Sequence, residues 1–369
     1  MRIGIIGTRG IPNNYGGFEQ LAEYLSVELV KRGHAVWVYN SSLHPNKSEN
    51  YKGVNLISCF DPEAVLGTAG QFIYDFNCIM DSRQRNFQVI LQLGYTSSSV
   101  WYWLLPKSSI IITNMDGLEW KRSKYNKLVQ KFLKYAEKLA AKKSDNLVSD
   151  SPGIQNHLKN NYQLNSNFIP YGANMFPENP DQNIADTNVL KPFNLTPYSY
   201  YLVICRFEPE NNIETIIQGY LQSGKTVPLI LLGVSKNKYS AYLISKYTSD
   251  KIVFHQPIYD LNILNHLRYF SAIYFHGHSV GGTNPSLLEA MASQALICAH
   301  NNIFNEAVLG RDAYYFENAA DLSLVFNSEN LSQNRETFIT NNLLKIEQQY
   351  NWIKIIDAYE DLMLKTLKQ

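Results

Sequence analysis

The feature that most constrains this chain is a rhythm. Short apolar runs alternate with helix-length segments, the pattern breaks once, and then it resumes. Residues 3–6, 35–39, 54–58, 89–93, 110–113 and 147–149 are apolar runs of strand length. Between several of them lie segments with helical patterning, residues 18–31 and 121–142 among them. This alternation predicts βαβ units and a parallel sheet covered on both faces. Between Asn174 and Pro197 the rhythm stops, and Pro177, Pro180, Pro192 and Pro197 stand among many Asn and Asp residues. Such a stretch reads as an irregular connection near a domain boundary. The rhythm then resumes, with strand-like runs at 201–205, 229–232, 252–254, 272–275 and 296–299, and helix-like segments at 211–222, 261–270 and 285–293. The expectation is an α/β chain of two Rossmann-like domains with a cleft between them. The divisions fall at 1–170, 171–350 and 351–369. In the last, Ile355, Ile356, Tyr359, Leu362 and Met363 have helical spacing, which predicts a helix packing back across the junction towards the first domain.

Composition narrows the function classes. The 33 Lys and Arg against 32 Asp and Glu leave a net charge of +1, which argues against a chain that binds nucleic acid over its whole surface. Cys59, Cys78, Cys205 and Cys298 have no metal or redox spacing and fit a reducing compartment. The first seven residues enter a strand-like run at once and read as lacking a signal peptide, so a cytoplasmic location is expected. The most apolar window, residues 100–105, ends at Pro106-Lys107 and is too short to span a bilayer.

In open α/β sheets ligands bind beyond the carboxyl ends of the strands, so the strand-to-helix turns carry the chemistry. The first turn, Gly7-Thr8-Arg9-Gly10-Ile11-Pro12-Asn13-Asn14-Tyr15-Gly16-Gly17, is not G-x-G-x-x-G, and the next strand ends at Tyr39-Asn40 with no acid for a ribose. A dinucleotide site is therefore disfavoured. Gly16 and Gly17 permit close backbone approach to a phosphate or sugar, and they serve a ligand-free turn equally well. The second turn, Arg206-Phe207-Glu208-Pro209-Glu210-Asn211-Asn212, places an Arg where it can take a diphosphate. Taken alone, a surface Arg paired with Glu208 or Glu210 is the simpler account. The third, His276-Gly277-His278-Ser279-Val280-Gly281-Gly282-Thr283-Asn284, is a glycine-rich loop leading into a helix, with Thr283 or Asn284 as its N-cap. The free N–H groups of a helix start suit a pyrophosphate. Glu289, one turn on, can accept from ribose hydroxyls or stand as an ordinary surface acid. His276 and His278 read equally as packed imidazoles, and without a third ligand they are weak evidence for a metal.

These loops carry a resemblance. Gly281-Gly282-Thr283-Asn284-Pro285-Ser286-Leu287-Leu288-Glu289-Ala290-Met291 resembles the donor-site motif of the GT-B-fold glycosyltransferases of family four, which are retaining nucleotide-sugar enzymes. The Arg206–Glu210 turn resembles their diphosphate turn, residues 168–174 their interdomain crossing, and residues 148–151 their last N-domain strand and turn. The first turn, through Glu19, and Asp116-Gly117-Leu118-Glu119-Trp120-Lys121-Arg122 resemble a bacterial subgroup that includes rhamnosyltransferases of polysaccharide assembly. The resemblance implies an N-terminal acceptor domain and a C-terminal donor domain. It also implies transfer of a sugar, with L-rhamnose from dTDP-rhamnose favoured over a UDP-sugar, to a glycan or polyprenyl-linked acceptor. No cofactor or metal is implied, in keeping with the lack of an Asp-x-Asp motif. Arg206, Glu210, Asn211, His278, Gly281, Gly282, Thr283 and Asn284 would hold the diphosphate and sugar, Glu289 the ribose, and Ile258 the base. Gly16 and Gly17 would border the acceptor and phosphate. Asp116 is the candidate for acceptor contact or base assistance, although an Asp before Gly also simply forms turns.

Two positions depart from the family pattern. Gly281 stands where an acid usually contacts donor-sugar hydroxyls, which suits a deoxysugar. Asn211 stands where a Lys is usual, which shifts phosphate charge onto Arg206 and backbone donors. The competing functions are a nucleotide-sugar 2-epimerase of the same architecture and a non-catalytic glycan-binding protein.

One segment bears on location. Lys121, Arg122, Lys124, Lys127, Lys131, Lys134, Lys138, Lys142 and Lys143 crowd a single helical stretch, opposed only by Glu137. Leu128, Phe132, Tyr135 and Leu139 share a face at i, i+4, i+7 and i+11. The pattern fits a helix lying on an anionic membrane surface at the inner face of the plasma membrane, and equally a solvated face over an apolar stripe.

Overall fold

The computed structural model describes residues 1–115, 117–122, 125–177, 189–328 and 331–368. The chain forms two compact units. The first comprises Met1–Tyr171 with Trp352–Gln369, and the second Gly172–Asn351.

The first unit holds an eight-stranded sheet, with β1 (Arg2–Ile6), β2 (Ala35–Ser41), β3 (Asn50–Tyr51), β4 (Val54–Cys59), β5 (Val89–Leu93), β6 (Ile110–Asn114), β7 (Asn146–Ser149) and β8 (Asn167–Phe168). Its order is β3-β4-β2-β1-β5-β6-β7-β8. All neighbours are parallel except β3, which is antiparallel to β4. The central strands are buried on both faces, which is why β5 reads as an unbroken apolar run apart from Gln92. The strands of this unit absent from the sequence reading, β3 and β8, are two-residue edges too short to carry a pattern.

The second unit holds a six-stranded, wholly parallel sheet. Its strands are β9 (Tyr201–Ile204), β10 (Leu229–Leu232), β11 (Ile252–His255), β12 (Ile273–His276), β13 (Ile297–His300) and β14 (Tyr314–Phe316), in the order β11-β10-β9-β12-β13-β14. One face packs a core of Tyr201, Val203, Phe275, Tyr220, Leu322 and Phe326, each under a tenth exposed. Burying a side chain of this size contributes roughly 1.5–3 kcal/mol. In both sheets the order reverses beside the first strand of the unit. That places one switch between β1 and β5 and the other between β9 and β12.

The last helix, Trp352–Leu367, belongs to the first unit. Its Trp352 stacks on Tyr24 with centroids 4.4 Å apart. Arg32 Nη1 lies 2.7 Å from both Asp357 Oδ1 and Glu360 Oε2, and Asn114 donates to the Tyr359 hydroxyl at 2.9 Å.

The lysine-rich segment differs from its sequence reading. It is not one helix from 121 but a short turn, Glu119–Lys121, followed by a helix, Lys127–Lys143. Asn126 starts that helix by accepting from the N–H groups of Leu128 and Val129. The buried stripe is Leu133, Ala136, Glu137, Ala140 and Ala141. The face formed by Leu128, Phe132, Tyr135 and Leu139 is instead exposed or half-buried. Nor does Glu137 oppose the lysines on the surface. It points inward and accepts from Trp120 Nε1 at 3.0 Å, the Tyr162 hydroxyl at 2.6 Å and His157 Nε2 at 2.8 Å. A buried carboxylate that gathers this many donors is satisfied in place, and so it can occupy a core position that its charge would otherwise forbid.

Candidate donor site at the β9–β12 switch

The turn after β9 and the loop after β12 leave adjacent strands at the same sheet edge. They are laced together. Asn212 donates to the Gly277 carbonyl at 2.8 Å. The Ser279 amide and hydroxyl both donate to the Glu210 carbonyl, at 3.0 and 2.8 Å. Gly277 lies so close to the turn that a Cβ there would stand 2.0 Å from the Asn211 carbonyl oxygen. The loop is braced from the far side by Asn302 and Asn305, whose side-chain amides donate to the His278 carbonyl at 3.1 and 3.0 Å.

Arg206 is exposed, and among the described residues its guanidinium makes no ion pair or hydrogen bond. The surface pairing with Glu208 or Glu210 does not form. Glu210 and Asn211 are buried in the turn. Asn211 has both ends of its amide engaged. Its Nδ2 donates to the Arg206 carbonyl at 2.6 Å, and its Oδ1 lies 2.8 Å from His278 Nδ1.

The loop ends in the helix Pro285–Ala292. Asn284, not Thr283, is the N-cap, accepting from the Ser286 amide at 2.9 Å, and Pro285 takes the first helical position. Gly281, Gly282 and Thr283 are buried, and Gly281 has φ of +137°. Glu289 is not a solvated surface acid. Its Oε2 lies 2.6 Å from Nη2 of Arg268, which also donates to the Ser286 hydroxyl at 3.1 Å. Arg268 was not singled out from sequence, yet a signal existed. It follows Leu264 by one turn on the apolar face of the helix Leu261–Tyr269. His276 is a packed imidazole. Burial, with Arg268 and His300 nearby, lowers its pKa to about 3 and keeps it neutral.

The remaining candidates lie elsewhere. Ile258 is half-buried in the loop after β11, the edge strand, with β10 between it and β9. Gly16 and Gly17 belong to the first unit, at the start of the helix Gly17–Lys31. Gly16 is extended, with φ of −168°, a conformation open to any residue. The preceding loop is held instead by Arg9, which forks onto Glu63 at 2.7 and 3.0 Å and lies 3.9 Å over the Tyr15 ring. Asp116 lies outside the described residues. Among the described residues no group of three or more His, Cys, Asp or Glu side chains converges as a metal site.

Solved structures match the fold over the full chain. Sucrose-phosphate synthase from Thermosynechococcus elongatus superposes with a TM-score of 0.81 at 16% identity, covering 100% of this chain and 99% of that one. The Anabaena protein Alr3699/HepE, solved with UDP-glucose, superposes at 0.73 and 13% identity, covering 100% and 99%. The trehalose 6-phosphate synthase of Burkholderia multivorans gives 0.71 at 12%, covering 99% and 96%. The chain has the GT-B fold. Within it, residues 1–174 match a family model described as a domain of unknown function (DUF1972). No curated protein matches the chain in sequence. The strand order puts the β9 and β12 loops at the switch point of the second unit, at the carboxyl edge where open α/β sheets commonly take ligands.

Proposed function

We propose that this chain is a retaining, metal-independent glycosyltransferase that takes a nucleotide-sugar donor at the β9–β12 edge. It would pass L-rhamnose from dTDP-rhamnose to a glycan or polyprenyl-linked acceptor in polysaccharide assembly. One local observation carries the reading. Two interlocked loops at the switch point present an unpaired guanidinium, Arg206, an Asn-capped helix start and a carboxylate, Glu289, backed by a buried Arg. A nucleoside diphosphate needs a cation, backbone donors and a hydroxyl acceptor, and these groups supply all three. The solved Anabaena structure with UDP-glucose supports the same ligand class.

In the reaction the acceptor oxygen forms its bond to the anomeric carbon on the face from which the diphosphate oxygen leaves. The acceptor proton passes to the departing phosphate. The chain's work is positioning, with Arg206 and the loop amides stabilising charge on the leaving diphosphate. Asp116 is proposed as the acceptor-side contact.

A membrane surface is proposed for the acceptor side. Leu128 and Tyr135 are 77% and 56% exposed among Lys127, Lys131, Lys134, Lys138 and Lys142, and Trp103 nearby is 62% exposed. Phe132 and Lys143 tie this helix to Phe72 and Tyr102. Apolar side chains ringed by lysines suit an anionic interface. Among the described residues no helix is long and apolar enough to cross a membrane.

A thermal-shift panel of dTDP-rhamnose, UDP-glucose, UDP-GlcNAc and their diphosphates tests the donor. Greatest stabilisation by dTDP-rhamnose, lost in Arg206→Ala, is expected. A preference for a UDP-sugar overturns rhamnose, and no response to any nucleotide overturns the glycosyltransferase reading. Co-sedimentation with phosphatidylglycerol vesicles that weakens in salt is expected, whereas equal binding to phosphatidylcholine vesicles contradicts the membrane proposal.

A further inference from the structure

Two of the four cysteines meet in the core of the first unit. Cys59 is the last residue of β4, and Cys78 lies on the helix Gly70–Ser82. Three hydrogen bonds hold that helix against β2 and the end of β4. The Tyr74 hydroxyl donates to the Tyr39 carbonyl at 2.9 Å, and the Asn77 side chain donates to the Phe60 carbonyl at 3.0 Å. The Asp81 carboxylate accepts from the Tyr39 hydroxyl at 2.8 Å. Cys78 falls among these residues, one turn after Tyr74 and one before Asp81, and Cys59 directly precedes Phe60. Both cysteines therefore join one core cluster with Tyr39 and Tyr74, where the Cys78 thiol donates to the Cys59 sulfur. Their spacing along the chain is no redox motif. The fold makes them a pair.

The pair is asymmetric. Cys78 is fully buried, and burial pushes its thiol well up. Cys59 is 8% exposed, and the bond from Cys78 holds its thiol below the ordinary value against the opposing effect of burial. Cys59 is thus the readier thiolate, with a neutral thiol at its side. The other two cysteines differ. Burial pushes the Cys205 thiol up to about 12 and raises that of Cys298 as well.

We infer that Cys59 and Cys78 form a reversible redox site, in which a hydroperoxide oxidises Cys59 and Cys78 resolves the product as a disulfide. With hydrogen peroxide, the Cys59 sulfur attacks one oxygen. An S–O bond forms, the O–O bond breaks, and the departing hydroxide takes the proton lost by Cys59 and leaves as water. The Cys78 sulfur then attacks the sulfur of the Cys59 sulfenic acid. An S–S bond forms, the S–O bond breaks, and the hydroxide leaves with the Cys78 proton as a second water. Two thiols are oxidised to one disulfide, and one peroxide is reduced to two waters. A dithiol reductant reverses the change by exchange. A pair of this kind stays reduced in a reducing compartment until an oxidant reaches it. The disulfide joins the end of β4 to the helix and closes residues 60–77 into a loop that contains Glu63, the partner of Arg9.

The test uses the whole chain, with hydrogen peroxide as the probe. Cys59 and Cys78 share one tryptic peptide, residues 53–83, so the disulfide is read as the loss of two hydrogens from that peptide with neither cysteine alkylated. This loss is expected in the folded wild type, with Cys205 and Cys298 still open to alkylation once the chain is unfolded. Dithiothreitol should restore both thiols. Cys78→Ser should stop at a sulfenic acid on Cys59, captured by dimedone, and Cys59→Ser should leave Cys78 a thiol. Oxidation of Cys205 or Cys298 at a comparable rate overturns the inference. A disulfide between chains, or a peptide that keeps both thiols, overturns it too. If either variant fails to fold, the wild-type peptide decides the matter alone.

Discussion

Arg268, 1% exposed, reaches Glu289 at 2.6 Å and so ties the helix Leu261–Tyr269 to the helix Pro285–Ala292, which follows the loop after β12. Its Nη1 also bonds Asn265 Oδ1 at 3.0 Å. Removing one partner of a buried pair leaves the other uncompensated and costs roughly 3–5 kcal/mol. Arg268→Met is therefore expected to lose about that much in urea unfolding. Arg268→Lys should lose less, because it keeps the charge but not the fork. Unchanged stability in Arg268→Met would show that the pair is not sustained in solution.

Gly277→Ala tests the close approach of the two loops. Its Cβ would stand 2.0 Å from the backbone oxygen of Asn211, which has no rotamer by which to yield. The loops must separate, so a loss of about 3 kcal/mol or more is expected, and nucleotide binding should go with it. A variant that melts and binds like wild type would contradict the geometry.

Asp75 makes the stability of the first unit fall as pH rises. Burial pushes its carboxyl up to about 7 against the bond from the Ser97 hydroxyl, and nearby Asp61 adds to the effect. The native state then keeps this proton to a higher pH than the unfolded chain does. Stability drops between roughly pH 4 and 7, by on the order of 4 kcal/mol once the group is ionised. Asp75→Asn retains an acceptor for Ser97 and removes the titration. Urea midpoints taken from pH 5 to 8 should be flatter in the variant and higher at pH 8. Parallel profiles for the two proteins would dismiss the assignment.

Glu137 acts with the opposite sign. Burial would raise its pKa, but bonds from His157, Tyr162 and Trp120 outweigh it and hold the carboxyl below its ordinary value. That contribution is present above the unfolded pKa and is lost as pH falls through the folded one. Glu137→Ala takes this acceptor from Trp120, His157 and Tyr162 and, at a longer distance, from the Tyr95 hydroxyl, at roughly 1–3 kcal/mol for each donor left buried and unsatisfied. The expected outcome is a marked drop in melting temperature together with quenching changes at Trp120, followed by fluorescence. Loss of stability without any change at Trp120 would mean that the network does not hold the Glu119–Lys121 turn.

Much of the architecture was legible before any coordinates. β5 and β10 span the same residues in structure as in the sequence reading, because strands buried on both faces must be continuously apolar. The helix Lys127–Lys143 is legible only in part, for a related reason. Lysines mark its solvent side plainly, but Leu128 and Tyr135 are apolar without being buried, and periodicity does not distinguish a core stripe from an uncovered one.

The alternation of strand and helix in two halves, and the glycine-rich loops after β1 and β12, are properties of the sequence alone. Those features are local, set by spacing of side chains a few positions apart and by where Gly, Pro and Asn interrupt them. Only the tertiary structure decided that Arg268 backs Glu289 and that Asn211 meets His278. The partners in those contacts lie 21 and 67 residues apart. They meet because parallel strands bring distant loops to one edge, and no periodicity along the chain records which of those loops will touch.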